Sequence, residues 1–184
     1  NTGMRRGEIL GLRWGDVDLD KELLCVTRSL VSVGYELHET RGKSRTARRN
    51  INLDPTTTAL LRAWRARRID EDPEFDPDDP SGHVFSRPDG APTHPQLLSD
   101  AFKKLLARSG LPPIRFHDLR HTHATLLLKQ NVHPKVVQER LGHSTIATTL
   151  DIYSHVIPGL QDAAARQFDL AVDVTPTEVD VSED

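Results

Sequence analysis

The stretch RFHDLRHTHATLLLKQ, residues 115–130, places two arginines and three histidines ahead of an apolar helical run. Cations gathered at a helix start suit three chemistries: metal ligation, the capping of a solvated helix end, or a grip on an anion. His117 and Arg120 are three apart and share a face of the helix's first turn, where backbone N–H groups already favour negative charge. His121 stands four after His117, the spacing of a zinc-binding pair. Such a pair needs a third ligand, the glutamate of an H-E-x-x-H motif is missing, and Arg120 alongside would repel a cation. The residue types therefore favour the anion grip, although a lone arginine at this spacing is most often a surface residue.

Other segments hold residues that could join such a site. TGMRRGE, residues 2–8, supplies Arg5 near a helix. GKSRTARRNINL, residues 42–53, supplies Lys43 with Arg45, Arg48 and Arg49, and Arg41 stands just ahead. LGHSTIATTLDIYSH, residues 141–155, supplies His143 just after a glycine stop and Tyr153 ten residues later. Each has a plain structural alternative. His143 at a helix C-terminus could cap the dipole, Tyr153 taken alone reads as a packing residue at a helix edge, and the loop arginines could all be phosphate contacts. His121, His123 and His133 have no role that their spacing supplies, and Trp14 and Trp64 read as core.

The elements that must position these residues follow from pattern. Ile9 and Leu12 with Met4 or Arg5 have helical spacing, which predicts a short helix within 3–13, ended by the turn formers of DVDLD. Residues 23–33 are apolar and β-branched, 35–39 resume an extended pattern, and 49–53 set Ile51 and Leu53 on one face. These three strands predict a small antiparallel sheet, with the basic segment 41–49 between the second and third. Asp54-Pro55 starts a helix that carries Leu60, Leu61 and Trp64 inward. Residues 70–82 are acidic and proline-rich, an exposed loop, and HVFS is a short extended piece. A helix follows with Leu98, Phe102 and Leu105/Leu106 on one face and Gly110 as its stop. Further helices run from His117 to about Asn131, from Pro134 to Gly142, from Ser144 through Tyr153, and over 159–172. Residues 173–184 are acidic and expected to be disordered. The fold class expected is mainly α with a small antiparallel three-stranded sheet.

A chain of 184 residues, 36% hydrophobic and 28% charged, has the size and composition of one globular domain. No apolar run is long enough to cross a membrane. The one cysteine, Cys25, excludes an internal disulfide framework and fits a reducing cytoplasm. The net charge of −3 conceals segregation: residues 1–69 carry +6, 70–100 carry −8, 101–155 carry +5 and 156–184 carry −6. A fold that brings the two basic blocks together would form a phosphate-binding face despite the acidic total.

TGMRRGEILGLRW, HDLRHTHAT and LGHSTIATTLDIYSHV, in this order, resemble the signature stretches of the tyrosine recombinases, or phage-type integrases, from Thr2 to about Ile157. The resemblance implies the catalytic-domain fold of DNA breaking-rejoining enzymes over residues 1–172. It implies that Tyr153 attacks a DNA phosphodiester, leaving a 3′-phosphotyrosyl link and a free 5′-hydroxyl. A phenol with a pKa of about 10 is a weak nucleophile at neutral pH, and His117 matches the base that takes its proton. Arg5 and Arg120 match the pair that clamps the non-bridging oxygens, and His143 matches a hydrogen-bond donor to the same phosphate. Lys43 matches the general acid for the leaving oxygen, and Glu8 a supporting acid near the first arginine. No metal and no cofactor is implied. Double-stranded DNA is the expected partner, with four protomers on two sites and the helix over 159–170 packed on a neighbour. The family's usual helix before TG and its DNA-clamping domain do not precede Asn1 here, so the chain is expected to be an N-terminally truncated catalytic domain.

Three rivals predict different observations. A type IB topoisomerase would relax supercoiled DNA without a specific site. A DNA-binding regulator would bind in a salt-sensitive way with no covalent product. A metal hydrolase would carry zinc.

Overall fold

The computed structural model describes residues 1–41, 48–156 and 166–168. Lys43, Arg45, the tail 173–184 and all but the short helical piece 166–168 of the helix expected over 159–172 lie outside the described residues. The elements run α1 (Arg6–Leu10), a 3-10 turn (Trp14–Asp16), β1 (Val17–Asp18), β2 (Leu23–Val26), β3 (Arg28–Val33), β4 (Glu36–Arg41), β5 (Arg49–Asn52), α2 (Pro55–Glu71), α3 (Pro95–Ser109), α4 (Asp118–Lys129), α5 (Pro134–Leu141) and α6 (Ala147–Val156). The fold is mostly helical with small antiparallel sheets. None of the described helices is long and apolar enough to cross a membrane.

The three-stranded sheet exists, and two of its strands come from the expected runs 23–33 and 49–53, but the third does not. Its order is β1-β2-β5, and β3 with β4 forms a separate hairpin. The run 23–33 splits at Thr27 and Arg28, whose side chains both bond Asp16, at 3.1 Å and 2.7 Å. That polar anchor turns the chain off the first sheet. Part of DVDLD, expected as a turn, becomes β1 and pairs Val17 with Leu24. The loop of Lys43 therefore joins two different sheets.

Two apolar clusters hold the layers. One packs Met4, Leu12, Trp14, Leu24, Ile51 and Leu61 between the sheet and α2. The other packs Ala124, Leu128, Val137 and Leu141 among α4, α5 and α6. Leu60 and Leu105, read as core-facing, stand exposed instead, each one position off the buried Leu61 or Leu106 of its helix. Asp54 caps α2 by accepting from the Thr57 amide at 2.9 Å, with Pro55 in the first turn.

The acidic segment 70–82 is less free than its composition suggests. Phe75 packs edge-on against Trp14, and the Arg68 guanidinium lies over the Phe75 ring. Arg62, Arg65, Arg67 and Arg68 of α2 pair with Asp20, Asp78, Glu71 and Asp72. Much of the charge of the first basic block is thus neutralised within the fold, away from the site.

Candidate active site

The site is organised by the C-terminus of α5. His133 caps its start, accepting from the Lys135 amide at 3.1 Å, and Gly142 ends it with a φ of 68°. A helix's last carbonyls lack intrahelical partners and carry the negative end of its dipole. Here three successive carbonyls each receive one arginine from a different element. Arg49 Nε, on β5, donates to Arg140 O at 2.8 Å; Arg120 Nη2, on α4, to Leu141 O at 2.6 Å; and Arg5 Nη2, ahead of α1, to Gly142 O at 3.0 Å.

Arg120 is buried at 5% exposure. Its Nη1 donates to Gly3 O at 2.7 Å. Gly3 is required at that point: its φ is 68°, and an added Cβ would come within 2.5 Å of Leu141 and 2.6 Å of His123. Burial, and then the neighbouring Arg5 charge, pulls the Arg120 pKa down to about 10, so it stays cationic at neutral pH.

Glu8 lies between two guanidiniums. Its Oε1 accepts from Arg5 Nη1 at 2.8 Å and from Arg49 Nη1 at 3.0 Å, and its Oε2 from the Arg5 amide and Arg49 Nη2, both at 2.8 Å. Burial alone would raise its pKa, but the bonds and charge of Arg49, with those of Arg5, outweigh it and hold the carboxyl below its ordinary value. Arg49, expected to contact DNA, is occupied here: its side chain is 6% exposed, against 42% for Arg5. Arg5 is thus the more open of the two guanidiniums, while Arg49 is enclosed.

His143 follows Gly142 directly. Its Nδ1 lies 2.9 Å from Thr149 Oγ1, a fully buried hydroxyl on α6. Its backbone is held by Gln138, whose carbonyl and side-chain amide bond His143 N and O at 3.1 Å and 3.3 Å. Burial, with Arg120 and Arg5 nearby, lowers its pKa to about 4. The ring is neutral at pH 7; where Thr149 donates to Nδ1, the ring proton sits on Nε2.

This shift predicts a pH dependence. Below about 6.5 an unfolded histidine takes up a proton that the folded ring refuses until about pH 4, so stability falls as pH drops through that window. Urea denaturation at pH 7 and pH 5 should show His143 contributing a loss of about 1–2 kcal/mol. His123, lowered to about 4 by burial and by Arg140, adds to the same slope. His143→Asn should therefore flatten it only in part, and an unchanged slope would contradict the shift.

His117 sits at the N-cap of α4, exposed, with its ring edge-on to His121 at 5.2 Å between centroids. Partial desolvation by the neighbouring chain, then His121 and Arg120, lower its pKa, which would suit a ring that accepts a proton. His117 and Arg5 line one cleft of about 670 Å³ with Arg6, Ser29, Ser32 and Lys103. Arg48 is exposed and lines a smaller cavity of about 250 Å³ with Lys135, Gln138 and His143. Arg41 is exposed at the end of β4. Tyr153 belongs to α6, one turn beyond Thr149; its side chain lies outside the described residues. Lys43 and Arg45 do so entirely. Among the described residues, no group of three or more His, Cys, Asp or Glu could hold a metal ion.

The profile of the phage integrase family matches residues 1–158. The chain belongs to the phage integrase family. This integrase-family chain is 35% identical, over 170 residues, to a protein called tyrosine recombinase XerC-like from Caldanaerobacter subterraneus subsp. tengcongensis, covering 85% of this chain and 44% of the relative. It is 30% identical over 169 residues to the ICEBs1 integrase of Bacillus subtilis, covering 91% of this chain and 46% of that protein. It thus spans less than half the length of either relative. Among solved structures, the Tn1549 transposon integrase in complex with transposon right end DNA aligns with a TM-score of 0.76 at 23% identity, covering 94% of this chain and 56% of that one. That likeness concerns the fold.

Sequence reasoning missed the part that several residues play around this candidate site. Arg49 looked like a loop arginine among others, and its burial comes only from β5 pairing with β2. Gln138 and Thr149 carried no charge to attract notice, yet both hold His143. His123, without a role in the sequence, accepts from Arg140 Nε at 3.2 Å.

Proposed function

We propose that this chain is the catalytic domain of a DNA strand-breaking and rejoining recombinase, with Tyr153 as nucleophile. The observation that carries this reading is the convergence of Arg5, Arg120 and His143 on the C-terminus of α5, joined through Thr149 to the helix that holds Tyr153. In the reaction, the Tyr153 oxygen bonds to a DNA phosphorus while its proton passes to His117. The bond from phosphorus to the 5′-oxygen breaks, and Lys43 supplies a proton to that oxygen. A 3′-phosphotyrosyl link and a free 5′-hydroxyl result, and attack by a 5′-hydroxyl from another strand reverses the steps. Negative charge grows on the non-bridging oxygens in the transition state, where the planar forks of Arg5 and Arg120 and the Nε2–H of His143 bond them. With the charge so met, the scheme calls for no metal, and the phosphotyrosine conserves the bond energy for rejoining. Arg41, Arg45 and Arg48 would contact flanking phosphates, with four protomers assembled on two DNA sites in a reducing cytoplasm.

The test is a library of nicked duplexes, from which the freed 5′-ended fragment is lost after cleavage so that the covalent link accumulates. Wild-type protein should yield a protein–DNA adduct that persists in excess chelator, and Tyr153→Phe should yield none. An adduct surviving that substitution, or no wild-type adduct across the library, overturns the reading.

A further inference from the structure

Arg49 has no part in the proposed chemistry, yet it is the most enclosed partner of Glu8. Glu8 is 5% exposed and accepts four hydrogen bonds, two from Arg49 and two from Arg5. A carboxylate favours a bidentate guanidinium fork. Arg49 supplies that fork, through Nη1 and Nη2, and its Nε is fixed on Arg140 O. Arg5 consequently has one side-chain bond to Glu8 and another, through Nη2, to Gly142 O. Without Arg49, Glu8 would be a buried carboxylate with a single guanidinium within reach. It would draw Arg5 into the fork and off the α5 terminus.

We infer that Arg49 is a positioning residue for strand cleavage: by filling the Glu8 fork it keeps Arg5 aligned, with its outer donors free for the scissile phosphate. This rests on the function proposed above. Arg49 touches no phosphate in this role. It also opens β5, so it ties the strand that follows the Lys43 segment to the same helix end as Arg5 and Arg120.

The experiment compares wild type, Arg49→Lys, Arg49→Gln, Glu8→Gln and Glu8→Gln/Arg49→Lys on a nicked duplex that the wild type cleaves, with thermal denaturation showing each protein folded at the assay temperature. Arg49→Lys keeps the charge but cannot form the fork and the Nε bond together. Cleavage at saturating DNA should slow by roughly tenfold or more, since sub-ångström misplacement of a clamp is costly, while DNA affinity changes little. The double variant should be no slower than the slower of the Glu8→Gln and Arg49→Lys single variants, because both act through one carboxylate. For Arg49→Gln the slope of log affinity against log salt should equal that of wild type; a phosphate contact would reduce it by about one. Wild-type cleavage rates in Arg49→Lys, or a reduced salt slope in Arg49→Gln, overturn the inference with the recombinase reading left standing. Absence of any wild-type adduct removes the reading and the inference together.

Discussion

Arg120→Ala should abolish strand cleavage and loosen the domain at once. The guanidinium is buried and bonds two backbone carbonyls, Gly3 O and Leu141 O, that are far apart in sequence. Removing it leaves both acceptors without that donor, one of them buried and the other half-buried. Each such loss costs about 1–3 kcal/mol, before the void left by the side chain. Urea denaturation should thus show a loss of about 2–5 kcal/mol. Loss of one fixed donor to a developing oxyanion slows a reaction by about 10²–10³-fold, and a charged clamp lies at the upper end. Arg120→Lys separates the two effects: a lysine retains charge and reaches one carbonyl, but not both, and lacks the fork. It should recover part of the stability while cleavage stays impaired. A stable, fully active Arg120→Lys would show that the fork is not needed.

Glu8→Ala should be the more damaging change to stability. It removes the carboxylate partner of Arg49, whose side chain is 6% exposed, and frees Arg5 from its anchor. Breaking one partner of a buried ion pair costs about 3–5 kcal/mol, because the remaining charge stays in a poor solvent. The pH behaviour gives a second measure. The folded carboxyl titrates below its ordinary value of 4.5, so its contribution is complete above that value and is lost as pH falls through the lowered one. Acid unfolding of the wild type should therefore include a Glu8 component that Glu8→Gln lacks. If Glu8→Ala unfolds at the same urea concentration as wild type, the carboxylate is not holding the two arginines.

Much of the proposed site could be named before any contact was known. Arg5, Arg120, His143 and Tyr153 stand in short stretches whose residue order is itself informative, and Glu8 came with Arg5. Helix limits were legible for a related reason: a cap, a proline or a stopping glycine acts within one turn, as Asp54, Pro55, Gly110 and Gly142 do here. The strand partition was not, because whether residues 23–33 stay in one sheet depends on Asp16 bonding Thr27 and Arg28.

The family, the order of the chemistry-bearing residues and the helices that carry most of them were all legible in the chain, since each of these is a local property of neighbouring side chains. Tertiary structure alone decided which arginines face outward. Arg5 and Arg49 are alike in sequence, both in basic pairs beside an element start. Arg5 reaches a carbonyl 137 residues away, and Arg49 meets Glu8 across 41 residues and Arg140 across 91. A guanidinium's role follows from the carbonyls and carboxylates that surround it, and those partners come together only when the α5 terminus is packed against β5, α4 and the start of α1.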